Sequence, residues 1–67
     1  MNIIVNQEPH EVKDNISVSE LLAHFRMEEK QGIAIAIGMQ IIPNTAWENT
    51  IIKNNETINI ITASQGG

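Results

Sequence analysis

The chain has 67 residues, a formal net charge of −4 and no cysteine. A chain this short makes one domain that buries only about 60% of its unfolded surface, so it needs a strongly apolar core, and thirteen isoleucines supply the material. The four Lys and Arg residues are scattered singly, which excludes a basic stripe for nucleic acid, and the lack of cysteine excludes disulfides, thiolate metal sites, a Cys nucleophile and a protein-bound persulfide.

The acidic balance favours solubility and a basic patch on any partner. Met1-Asn2-Ile3 leads directly into apolar alternation with no charged n-region, so no signal peptide is expected. The longest mainly apolar run, Ile33 to Met39, is too short to span a bilayer. The default expectation is a soluble cytoplasmic protein.

In chain order, Met1, Ile3 and Val5 alternate with Asn2 and Ile4, the period of a strand with one buried face. Asn6-Gln7-Glu8-Pro9 reads as a turn, and His10 and Val12 alternating with Glu11 and Lys13 read as the returning strand. Asp14-Asn15 ends it. Ser17-Val18-Ser19-Glu20 has the form of a capping box, with Ile16 before it as a hydrophobic staple. Val18, Leu21, Leu22 and Phe25 then follow the i, i+3, i+4, i+7 spacing of one helical face, predicting a helix from about Val18 to Arg26.

A polar loop from Met27 to Gln31 leads through Gly32 to a strand, Ile33-Ala34-Ile35-Ala36-Ile37, with large side chains on one face and small ones on the other. Gly38-Met39 suits a type II′ hairpin turn, Gln40-Ile41-Ile42 returns, and Pro43 ends that strand. Asn44 to Asn49 reads as a short helical turn capped by Asn44, with Trp47 laid over the core edge. Ile51-Ile52 pairs briefly, and Lys53-Asn54-Asn55-Glu56 is a turn. A last strand from Thr57 to Ala63 puts Ile58, Ile60 and Thr62 on one face and Asn59, Ile61 and Ala63 on the other. The expected fold is α+β, a four- to five-stranded sheet wrapping one main helix over residues 1–63.

The chain finishes Ser64-Gln65-Gly66-Gly67. Two glycines at a free end form a thin thread that can enter a channel any side chain would block, and four extended residues reach roughly 13–14 Å. Such a thread can carry the α-carboxylate of Gly67 into a neighbour's active site. Upstream, Ile61 and Ala36 fall on the face opposite the core, and side by side they would form a small apolar docking patch near the tail. Trp47 has no surrounding basic residues to hold a phosphate, so it reads as a lid rather than a base-stacking platform. His10 and His24 lack metal-ligand spacing, Glu20 and His24 read as an ordinary i, i+4 surface pair, and Glu28-Glu29 as a solvated loop. No Ser/His/Asp constellation or glycine-rich phosphate loop is present.

Four blocks together carry a resemblance: Met1-Asn2-Ile3-Ile4-Val5-Asn6, the helix start from Ser17 to Leu22, the run from Ile35 to Pro43 followed by Trp47, and the terminal Gly66-Gly67. In this order they resemble the β-grasp or ubiquitin-like fold and, more narrowly, the ThiS-type sulfur carriers of bacterial thiamine biosynthesis. The resemblance spans essentially the whole chain. It departs from the family at Asn54-Asn55-Glu56, where a turn such as Asp-Gly-Asp is common, and at Gln65, where a small apolar residue is usual.

The resemblance implies that an E1-like (ThiF-type) enzyme, using ATP and Mg²⁺, adenylates Gly67. A sulfur donor such as a cysteine desulfurase system then leaves a thiocarboxylate, which supplies the thiazole ring on a ThiG-type synthase. Gly66 gives clearance, and Ser64, Gln65, Ile61 and Ala36 contact partners. On this reading the chain is no enzyme and holds no cofactor or metal of its own. Other readings of the Gly-Gly end are a ubiquitin-like protein modifier, the small subunit of a molybdopterin synthase or a related thiocarboxylate donor, and a regulatory β-grasp module with an inert tail.

Overall fold

The computed structural model describes residues 1–29 and 31–62. Its elements run β1 (Asn2–Val5), β2 (Glu8–Glu11), α1 (Val18–His24), β3 (Ile33–Ile37), β4 (Gln40–Ile42), a 3-10 turn (Asn44–Ala46) and β5 (Thr57–Thr62). The strands form one five-stranded sheet in the order β2-β1-β5-β3-β4. β1 and β5 lie parallel at its centre, and the other neighbours are antiparallel. The expected α+β architecture of one sheet and one main helix is what the chain adopts.

The first hairpin turns on Asn6 and Gln7, at φ 51° and 72°. Positive φ at both central residues is the type I′ signature, whose twist matches that of paired strands. β2 therefore begins at Glu8, and the expected turn through Pro9 is corrected. Pro9 is tolerated because Val5 faces Glu8 across the turn and Ile4 faces Pro9. The pair next to a two-residue turn exchanges hydrogen bonds and the following pair does not, so the proline nitrogen points to the open edge of the sheet.

α1 starts as its sequence requires. Glu20 N donates to Ser17 Oγ at 3.0 Å, and Ser17 N donates to Glu20 Oε1 at 2.9 Å. Lys13 Nζ donates to the other oxygen of Glu20 at 2.5 Å. That bond and the Ser17 amide hold the Glu20 carboxyl below its ordinary value. The same corner is tied to the strand-like segment before β5, since Ile52 N donates to Ile16 O at 2.8 Å and Val18 N to Thr50 O at 3.0 Å. Ser17 and Ile51 form an isolated bridge there, the brief pairing expected at Ile51-Ile52.

The helix ends at His24, two residues short of the expected Arg26, because the backbone of Arg26 swings to φ 60°. Arg26 N then donates to Ala23 O at 3.0 Å and Met27 N to Leu22 O at 2.7 Å. Those two bonds make a Schellman motif, built on arginine where glycine is usual. Met27 and Leu22 both belong to the core assembly, supplying the apolar contact that accompanies such caps.

Core and solvent faces follow the two periods. Ile3 and Val5 from β1, Ile35 from β3, Ile58 and Ile60 from β5, and Val18, Leu21 and Leu22 from α1 are all buried, with Ile52 beneath them. Burial of each such side chain contributes roughly 1.5–3 kcal/mol before entropy is counted. Gly38 turns the β3–β4 hairpin at φ 61°. Nothing lies within 4 Å of where a Cβ would stand, so glycine serves the backbone conformation there and not a close contact.

Trp47 is half-buried against the core and donates from Nε1 to Ile42 O at 2.9 Å, the lid its sequence position suggested. The cap of its turn differs from expectation. Pro43 occupies the N-cap position with no side-chain bond, and Asn44 is the first residue within the turn, since the fixed φ of proline already sets the entry. No helix among the described residues is long and apolar enough to cross a membrane.

Candidate functional site

Alternation along four strands defines a second sheet face, turned away from α1. Where Ile3, Val5, Ile35, Ile42, Ile58 and Ile60 enter the core, their neighbours Ile4, Ala34, Ala36, Ile41, Asn59 and Ile61 point outward. Register decides which of them meet. Ala34 stands opposite Ile61, while Ala36 stands between Asn59 on one side and Ile41 on the other.

The expected pairing of Ile61 with Ala36 is thus replaced by Ile61 with Ala34. Ile61 is 52% exposed and Ile41 61%, but Ala36 is only 7% exposed. Ala36 does not belong to the core cluster; its single methyl is covered because larger cross-strand neighbours flank it on the outer face. The result is a shallow apolar surface, with Ile61 and Ile41 as its raised points and the two alanines as its floor. Ile4, 38% exposed, lies on the same face of β1 but opposite Thr57, with Asn59 between that position and Ile61. The outward positions of the described strands carry one carboxylate, Glu11, and no lysine or arginine.

Ile4, Ile41 and Ala34 are contributors that the sequence reading did not single out. Their signal was present in the alternation of β1, β3 and β4, but which strands adjoin β5 is a matter of topology. Ile61 lies one residue before the end of β5, so this face borders the C-terminal end of that strand. Ser64, Gln65, Gly66 and Gly67, with Ala63 before them, lie outside the described residues.

Elsewhere among the described residues, the two histidines and Glu20 are engaged in packing and capping. His10 and His24 each meet Phe25 edge-on, with ring centroids 5.1 Å apart in both pairs, so the imidazoles pack on an aromatic ring. Glu20 is engaged by Lys13 and Ser17, which leaves the expected Glu20–His24 surface pairing replaced by the cap. No group of three or more His, Asp or Glu among the described residues could hold a metal ion.

The model of the ThiS family matches residues 3–67. The crystal structure of a thiamine biosynthesis protein (ThiS) from Geobacter metallireducens superposes with a TM-score of 0.85 at 22% identity, covering 100% of both chains. A solution structure of a thiamine biosynthesis protein from the same organism gives 0.80 at 22% identity, covering 100% of this chain and 88% of the other. At that identity the likeness speaks to the fold. No curated protein matches.

Proposed function

The chain belongs to the ThiS family, and from that premise we propose that it is a sulfur carrier of thiamine biosynthesis whose reagent is the carboxylate of Gly67. The observation that carries the reading is the family match reaching residue 67, so that the family pattern includes the terminal Gly66-Gly67.

A carboxylate is a poor electrophile until one of its oxygens becomes a leaving group. In the proposed first step a Gly67 oxygen attacks the α-phosphorus of ATP on an E1-like, ThiF-type partner, with Mg²⁺ on the phosphates and pyrophosphate released. The terminal sulfur of a persulfide on a desulfurase-type donor then adds to the acyl carbon and expels AMP, and a second thiol cleaves the resulting acyl disulfide, leaving the thiocarboxylate and a disulfide on the donor. That sulfur passes to the thiazole ring on a ThiG-type synthase. Adenylation and sulfur transfer are chemistry of the partners, and the carrier's share is to be recognised and to present its tip.

Recognition falls to the outer face. Its apolar surface of Ile41 and Ile61 over the two alanines is bare of cations among the described residues, and it lies next to the end of β5. Ser64 and Gln65 line the way into the partner's channel, and Gly66 gives the clearance that a side chain would deny. The test is a chain extended by one residue after Gly67, mixed with an E1-like adenylyltransferase and radiolabelled ATP. The native chain should exchange pyrophosphate and the extended one should not, although both fold alike. Equal activity of the two would remove Gly67 as the acceptor.

A further inference from the structure

We infer that Asn6 is a positioning residue that fixes the root of the C-terminal tail. β1 and β5 run parallel, with Ile4 opposite Thr57 and Val5 opposite Ile58. In a parallel ladder each bonded residue donates its N–H to one neighbour position and accepts at its C=O from the position two further along. Asn6 N takes the first of these bonds, donating to Ile58 O at 2.9 Å. Its backbone carbonyl should take the second, from Ile60 N.

That second bond is not made by the backbone, because Asn6 turns into the left-handed region at φ 51° to start the hairpin. The Asn6 side chain replaces it: Ile60 N donates to Asn6 Oδ1 at 2.8 Å in a part-buried setting. One side-chain amide thus extends the β1 ladder by a step beyond the point where β1 has left the sheet. From there to its end at Thr62, β5 is flanked by β3, with Ile61 opposite Ala34 and Thr62 opposite Ile33. Among the described residues, Asn6 is the last grip on β5 from the β1 side.

This role rests on the carrier reading, since only a reactive tip needs its root held. If the grip is lost, the activating partner must itself order the end of β5 as it docks, and that cost is drawn from binding. Chemistry at the tip, once docked, is unaltered. The effect therefore falls on KM and spares kcat.

Asn6→Gly keeps the left-handed backbone accessible and deletes the acceptor, while Asn6→Asp keeps both. With all three proteins folded well below their melting points, two quantities are read. They are amide exchange at Ile60 by NMR, and ATP–pyrophosphate exchange by an E1-like adenylyltransferase as a function of carrier concentration. Asn6→Gly should lower Ile60 protection and raise KM by roughly two- to tenfold, the equivalent of one ordinary hydrogen bond. Its kcat should be unchanged, and Asn6→Asp should restore both quantities.

Wild-type KM in Asn6→Gly despite faster Ile60 exchange would overturn the positioning role, and unchanged exchange would show that the bond does not hold the strand. If the wild-type chain were itself ignored by the adenylyltransferase, the carrier reading would fail and this role with it. Ile60 exchange would still report the bond on its own.

Discussion

Ser17 caps the helix at the corner where Lys13 reaches Glu20 and the segment at Thr50–Ile52 bonds to Ile16 and Val18, and the cost of replacing it by alanine follows from the cap. The hydroxyl accepts from Glu20 N at 3.0 Å, and the residue is 6% exposed, so water reaches the abandoned amide poorly. The reciprocal bond from Ser17 N to Glu20 Oε1, at 2.9 Å, uses the backbone and survives the substitution. Loss of a capping hydroxyl costs about 0.5–2 kcal/mol, and with half of the box preserved the middle of that range applies, about 1 kcal/mol. In a domain of this size that lowers the melting temperature by about 4–8 °C. The assay is urea unfolding followed by far-UV circular dichroism, with thermal melts alongside. The midpoint should fall with the slope unchanged, as for a loss of stability without a change in exposed surface. Ser17→Gly should cost less, a few tenths of a kcal/mol by the general ranking of caps. A Ser17→Ala midpoint equal to wild type would refute the argument, because the box would then contribute nothing to the folded state.

Three further outcomes follow from the same geometry. The Glu20 carboxyl is held below its ordinary value of 4.5, first by Lys13 and then by the Ser17 amide. Its contribution is therefore complete above that value and disappears as pH falls through the lower folded one; a Glu20→Gln variant should be less stable at neutral pH, the gap to wild type closing in acid titrations of stability. Arg26→Gly should stabilise the chain by about 0.5–1 kcal/mol in chemical denaturation, because residue 26 sits at φ 60° and glycine reaches that region without a Cβ clash; a loss of stability would mean that the arginine side chain supports the cap. Ile61→Asp should change stability by no more than about 1 kcal/mol while sharply weakening adenylation, since the side chain is 52% exposed on the outer face; an unfolded variant would place Ile61 in the core, and undiminished activation would free the face of its docking role.

What could be read from the chain, and what could not, divides by the distance over which each feature is decided. The capping box and the Gly38-Met39 turn are set within four residues and the helical stripe within eight, and each starts where its sequence puts it. In the first hairpin, proline in isolation argues for a turn, whereas Pro9 lies on an edge strand with its nitrogen turned outward, and Asn6-Gln7 supply the left-handed pair. The helix ends earlier than its stripe implies because an arginine does not advertise a left-handed cap. Across the sheet, alternation told which residues share the outer face, but not that Ala34, instead of Ala36, would sit beside Ile61. Register is fixed between strands, and the sequence of one strand is silent about it. The Asn6–Ile60 bond joins residues 54 positions apart, and no local pattern announces it. Of the chemistry, the terminal glycines and the resemblance pointed to the tip, and the surface that borders its root needed the fold.

The most direct test of the account is the intact mass of the chain taken from its own cells during active thiamine synthesis. A fraction should be heavier than the translated sequence by the difference between one sulfur and one oxygen, with fragmentation placing that difference at Gly67. A chain that carries only oxygen at its terminus under that demand, with its activating enzyme and sulfur donor present, would contradict the claim that the tip is a sulfur carrier.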